Sequence, residues 1–175
     1  MPAQPRIAFS SFPSASDLQF AVWKRVNARI LGGVPTNARA SNSAVLTEPV
    51  PSTAPRGVWQ LLAANNRELG RSALAYSSFR DAFSHVARVR EMATQLALRV
   101  ERHHDLGTWF WVADYVDEPV ITSARLFGSA SEAAKTATGA VLAFSQATID
   151  DKPRSRPGRR CPPEPARENS DSAPW

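Results

Sequence analysis

The stretch "GTWFWVAD" (Gly107–Asp114) restates "GVWQLLAA" (Gly57–Ala64) fifty residues later, with Gly107 over Gly57, Trp109 over Trp59, Trp111 over Leu61 and Ala113 over Ala63. Both are dense in aromatic and aliphatic residues and read as strands. Side chains alternate across a strand, so Trp59, Leu61 and Ala63 share one face, as do Trp109, Trp111 and Ala113. That face is assigned to the core. Phe110 points the other way with Thr108 and Val112, which makes it the aromatic candidate for an exposed contact surface.

Working outward, each strand leads through a turn to a segment ending in an aromatic, "ELGRSALAY" and then "PVITSARLF". The offset grows by one here, which predicts one extra residue in the second turn, within Tyr115–Pro119. Ser78-x-x-Asp81 and Ser129-x-x-Glu132 follow as two capping boxes, a hydroxyl accepting from a backbone N–H and an acid favouring the positive helix end. Behind them run helical stripes, Phe79, Ala82, Phe83, Val86, Val89 and Ala93 in one and Ala130, Ala133, Ala134, Ala137, Val141 and Phe144 in the other. "LALRVERHHDLG" supplies a strand near Leu98–Arg102 and a turn at Asp105–Gly107. The matching first strand of the earlier copy is placed at Ala44–Val50, within "SAVLTEPV", where Pro49 restricts it to a sheet edge. A unit of about 50 residues buries too little surface to be stable alone, and two copies can share one sheet and one core.

The ordered recurrence of "WQLLAANNRELGRSALAYSS" and "GTWFWVADYVDEPVITSARLFGSASEA" resembles the YegP-like family, across Gly57 to Ala147. The resemblance implies an α+β fold, two tandem βββα repeats packed as a pseudo-dimer. It implies no activity and no catalytic residues. Two features depart from the family pattern. The family commonly carries Asn-Gly at the turn after the aromatic strand, suited to a tight type I′ hairpin; this chain has Asn65-Asn66 in one copy and Val116-Asp117-Glu118-Pro119 in the other, which fits that turn poorly. The pattern also has no place for an N-terminal helix.

Such a helix is nonetheless expected over residues 17–31, with Leu18, Val22, Trp23, Val26 and Ile30 on one stripe, Ser16 or Asp17 at its start and Gly32-Gly33 beyond its end. The expected organisation is therefore an extension over residues 1–42 containing this helix and a linker, and a tandem-repeat domain over 43–149. Repeat one spans about 43–95 and repeat two about 96–149. A disordered Pro/Arg-rich tail occupies 150–175.

The formal net charge of +5 is unevenly distributed. Residues 1–56 hold six Lys/Arg and two acids, residues 57–149 hold nine of each, and residues 150–175 hold six and five. A neutral repeat domain leaves the ends to attract anionic partners. The candidate interaction residues are Lys24, Arg25 and Arg29 on the helix and Lys152, Arg154, Arg156, Arg159 and Arg160 in the tail, together with Phe110.

No catalytic residue, cofactor-binding residue or metal ligand is assigned. His103-His104-Asp105 is the closest metal-capable cluster, but neighbours on a strand point to opposite faces. Ser84, His85 and Asp81 lack the geometry of a triad, because adjacent positions on a helix diverge. The lone Cys161 forms no internal disulfide, which fits a reducing, cytoplasmic setting. No apolar run has the length of a membrane-spanning helix. The sequence thus reads as an uncharacterised, non-enzymatic interaction module with a protein partner; the alternative is a nucleic-acid-binding accessory protein acting through its basic ends.

Overall fold

The computed structural model describes residues 4–31 and 56–155. In chain order these form β1 (Arg6–Phe12), α1 (Leu18–Leu31), β2 (Arg56–Leu62), β3 (Glu68–Ser72), α2 (Phe79–Glu91), a 3-10 turn (Ala93–Gln95), β4 (Ala97–Arg102), β5 (Trp109–Tyr115), β6 (Glu118–Ser123), α3 (Ala130–Gln146) and β7 (Thr148–Ser155). The fold is α+β. Seven strands build one sheet in the order β4-β5-β6-β3-β2-β1-β7. Neighbours are antiparallel except β1 and β7, which are parallel.

Alternation along the strands supplies two apolar faces. On one, Phe9, Trp59, Leu61, Trp111 and Ala113 pack against Ala82, Val86 and Val89 of α2 and Ala133, Ala137, Ala140 and Phe144 of α3. On the other lies α1, its Phe20 against Phe12 and Val58 and its Ile30 against Phe110 and Val112.

Three expectations change. The strand beside β2 is β1, an alternating "RIAFSSF" segment whose flanking prolines read as loop; residues 44–50, where that strand was expected, lie outside the described residues. The N-terminal segment is thus part of the sheet rather than an extension. The segment expected to open the disordered tail at residue 150 instead continues β7 as far as Ser155, beyond which the tail lies outside the described residues. The stripe of α1 is rotated: Phe20, Asn27 and Ile30 are buried, while Leu18 and Val22 are 80% and 46% exposed.

The register also shifts by two residues. Phe9 faces Trp59 and Ile7 faces Leu61, while Val100 faces Trp111 and Leu98 faces Ala113. Trp59 therefore corresponds to Trp111, not Trp109, and bulges fall at matching places, Leu61/Leu62 and Ala113/Asp114. A two-residue slip preserves the face of every side chain, so alternation alone cannot detect it. The turns change with it. Ala63 N–H bonds Arg67 O around Ala64, Asn65 and Asn66, whereas Tyr115 pairs with Glu118 around Val116 and Asp117 alone, so the second turn is shorter, not longer.

The seam between β3 and β6 pairs Gly70 with Ser123 and Ser72 with Ile121. A Cβ on Gly70 would lie 3.0 Å from the ring of Trp111, which crosses the seam there. Trp59 crosses in the other direction, its ring 5.6 Å from that of Phe144 on α3. Both halves of the sheet thus contribute to one core.

Candidate functional site

The surface with the strongest chemical character is the outer side of α1. Asp17 starts the helix by accepting from the backbone N–H groups of Gln19 and Phe20, at 2.8 and 3.2 Å. Its inner side is held by two polar anchors as well as by apolar contacts. Buried Asn27 donates to Ala73 O at 2.9 Å, and the ring of His103 meets Arg29 O through Nε2 at 2.6 Å, tying the helix end to the β4–β5 hairpin. Trp23 stacks on Phe20 with ring centroids 5.8 Å apart. With those side chains committed inward, Leu18, Val22, Lys24, Arg25 and Arg29 remain exposed, and the helix carries no acidic residue. The Lys24 ammonium lies 5.3 Å from the Phe20 ring centre.

Of the other candidates, Lys152 and Arg154 are exposed on β7. Parallel pairing sets Ser155 opposite Ser11, at the end of the sheet where the chain turns toward α1. Arg156, Arg159 and Arg160 lie outside the described residues. Phe110 is fully buried beneath Ile30, which corrects its reading as an exposed contact. The cause is α1, which covers the sheet face assumed to be open.

The His-containing sets do not converge. His103 turns inward to Arg29 O, while His104 is exposed, its Nδ1 3.5 Å from Asp105. Among the described residues no three metal-capable side chains group together. Asp81 accepts from the hydroxyls of Ser77 and Ser78 at 2.5 and 2.7 Å, which holds its carboxyl below the usual range. It is too occupied in the helix cap to orient a histidine.

Sequence reasoning missed one buried polar chain. Trp59 Nε1 donates to the Tyr76 hydroxyl at 3.4 Å, and that hydroxyl lies 2.8 Å from His85 Nδ1. The Tyr76 hydroxyl thus accepts from Trp59 and shares a second hydrogen bond with the His85 ring. Burial raises the Tyr76 pKa, and burial first, then Arg88, lowers that of His85 to about 4. The positions were visible as an aromatic before the cap and a helical histidine, but nothing in sequence aimed them at each other.

A further polar cluster lies on β4 and β5, on the same sheet face as α1. Arg99 pairs with Asp114 and with Glu101. Its charge is shared between two carboxylates, one of them on its own strand.

No family model matches the chain, and no curated protein matches it. One solved structure is similar, the solution NMR structure of a protein of unknown function, yegP from E. coli. It is 17% identical, with a TM-score of 0.44, over 61% of this chain and 89% of the other. Among the described residues no helix is long and apolar enough to cross a membrane.

Proposed function

We propose that this chain is a non-enzymatic binding module whose frame is two βββα repeats packed as a pseudo-dimer. Its working surface is the outer side of α1, and its partner is a protein presenting acidic groups around an apolar groove. The observation that carries the reading is the composition of that surface. Leu18 and Val22 are exposed beside Lys24, Arg25 and Arg29 without a single acid on the helix. Exposed Leu and Val gain by burial in a groove, and an acidic rim complements the three cations. Phosphate backbones offer nothing to Leu18 or Val22, which is why a protein partner ranks first.

The strand order supports the repeat frame. So do the matched bridges Gly57–Tyr76 and Trp109–Phe127 and the matched caps at Ser78 and Ser129. α1 is then an insertion between the first and second strands of repeat one. The non-enzymatic reading is supported by the commitment of Asp81, His85 and His103 to structural partners.

A second reading, nucleic-acid binding, is favoured by one observation: β7 delivers Lys152, Arg154 and the start of the basic tail to the end of the sheet near the beginning of α1. Fluorescence anisotropy separates the two. The probes are an acidic amphipathic helical peptide, duplex DNA and single-stranded RNA, each at low and physiological salt. Peptide binding lost in Leu18→Ser/Val22→Ser is the expected result. Nucleic-acid binding that ignores this double substitution, falls steeply with salt and disappears with residues 152–175 would replace the first reading by the second.

A further inference from the structure

The sheet has two edges of opposite character. At one, β7 ends the sheet with "TIDDKPRS", four charges and Pro153, the composition that blunts an edge against further pairing. At the other, β4 is "ALRVER", without proline, and Leu98 is 40% exposed. Among the described residues nothing pairs with the outer side of β4.

The free hydrogen-bonding groups of β4 can be identified. His103 N–H bonds Thr108 O, so His103 turns its backbone toward β5. The β4–β5 register is unbroken from Ala97 to Arg102. In an antiparallel ladder this orientation repeats every second residue. Glu101, Arg99 and Ala97 therefore face β5, and Leu98, Val100 and Arg102 present N–H and C=O outward.

We infer that β4 is a self-complementary edge on which a second copy of this chain docks antiparallel, about a two-fold axis at Val100, to give one continuous sheet of two chains. In that register Val100 meets Val100 of the other copy and exchanges both backbone bonds with it. Leu98 meets Arg102 on either side, which uses every outward group and yields about six inter-chain bonds. The same register sets Arg99 opposite Glu101 twice, an opposite-charge pair on the same face. Sliding the axis to Arg99 would oppose two arginines, and sliding it to Glu101 would oppose two glutamates. Only the Val100 register matches both the hydrogen bonds and the charges. This pairing does not depend on the reading of α1, which lies on a face rather than at the edge.

The test is sedimentation equilibrium of the full chain up to about 100 μM, where an edge pairing of micromolar affinity is populated. Val100→Pro deletes an outward N–H and leaves the β4–β5 bonds intact, because proline is tolerated where the N–H faces away from the sheet. Glu101→Arg sets like charges opposite each other in the dimer. Wild type should dimerise, and each substitution should weaken the dimer at least tenfold while the thermal transition of the monomer persists. Mixing Glu101→Arg with Arg99→Glu should restore a heterodimer. Should Val100→Pro abolish the thermal transition, Glu101→Arg and the mixing experiment decide alone. A wild type that stays monomeric throughout overturns the inference, as does a dimer indifferent to both substitutions.

Discussion

The first half of the sheet, β1-β2-β3 with α2, and the second half, β4-β5-β6 with α3, share their ladder, their bulges and their helix caps, yet their interiors differ. In the first half the aromatic before the cap is Tyr76, bonded to Trp59 and His85; in the second it is Phe127, and the helix position matching His85 is Thr136, whose hydroxyl bonds Glu132 O. Their edges differ too, since β7 covers β1 while, among the described residues, no strand pairs with the outer side of β4. Backbone pairing tolerates little change because each ladder bond constrains its neighbours. Buried side chains and edges can diverge wherever the replacement satisfies its own polar atoms.

The sharpest way to break the comparison is to ask whether one half can stand alone. Residues 95–149 would keep β4, β5, β6 and α3 but lose β3 at the seam and Trp59 against Phe144. Self-pairing through β6 cannot replace that loss, because Ile121 would occupy the place of Gly70 and meet the ring of Trp111. We expect no cooperative thermal unfolding from this fragment; a well-folded monomer would show that the halves are independent. A smaller intervention at the same place is Gly70→Val in the whole chain. Even a Cβ there stands 3.0 Å from Trp111, 3.1 Å from Thr122 O and 3.2 Å from Ile121 Cγ2. Overpacking of this kind costs about 1–3 kcal/mol, read as a lower thermal midpoint.

The polar chain of the first half should give the protein a pH dependence through His85. His85 titrates at about 4 when folded, against 6.5 as its ordinary value. Between those values the unfolded chain takes up a proton that the folded chain refuses. Stability from this group therefore falls as pH drops from 6.5 toward 4 and levels off below. Copying the second half, as Tyr76→Phe with His85→Thr, should flatten that part of the profile of thermal midpoint against pH. Tyr76→Phe alone leaves Trp59 Nε1 and His85 Nδ1 without their partner, a cost of about 1–3 kcal/mol. An unchanged acid slope in the double variant would assign the dependence to other groups.

Much of this frame was legible because period and capping are local. The strands at Trp59 and Trp111, both helices with their Ser caps, and α1 from Leu18 to Leu31 all follow from patterns of a few residues. What failed was non-local. The parity of a strand repeats every second residue, so the true partner of Trp59 was hidden by a slip that changed no face. Arg6–Phe12 alternates like a strand, but only long-range pairing with β2 tells it from a Pro-flanked loop. Phe110 had the right orientation and the wrong exposure, since nothing near it announces that α1 crosses above. Asn27 was invisible for the same reason: a polar residue on a buried stripe is explained only by the carbonyl of Ala73. The charged residues of α1 were legible as a set. That Leu18 and Val22 join them outside could be read only once Phe20 and Asn27 were seen inside.

The smallest expected effect lies at the two hairpin turns. In the first, Asn66 adopts φ 63°, a left-handed conformation that asparagine accepts readily. In the second, Val116 and Asp117 take φ 49° and 65°. Two successive residues at positive φ define the tight turn in which Asn-Gly is favoured, and a β-branched residue is poorly suited to its first position. The turn forms despite its sequence because the β5–β6 ladder closes on both sides of it, Tyr115 against Glu118 and Asp114 against Pro119. Val116 is 76% exposed, so its side chain contributes little packing to offset that conformation. Val116→Asn with Asp117→Gly should therefore stabilise the chain by about 1 kcal/mol, seen as a higher thermal midpoint. Asn66→Gly in the first half should change it by much less, because the residue already present suits its backbone. Equal responses at the two turns would mean that Val116 is not strained, and that the ladder, rather than turn chemistry, sets the register in both halves.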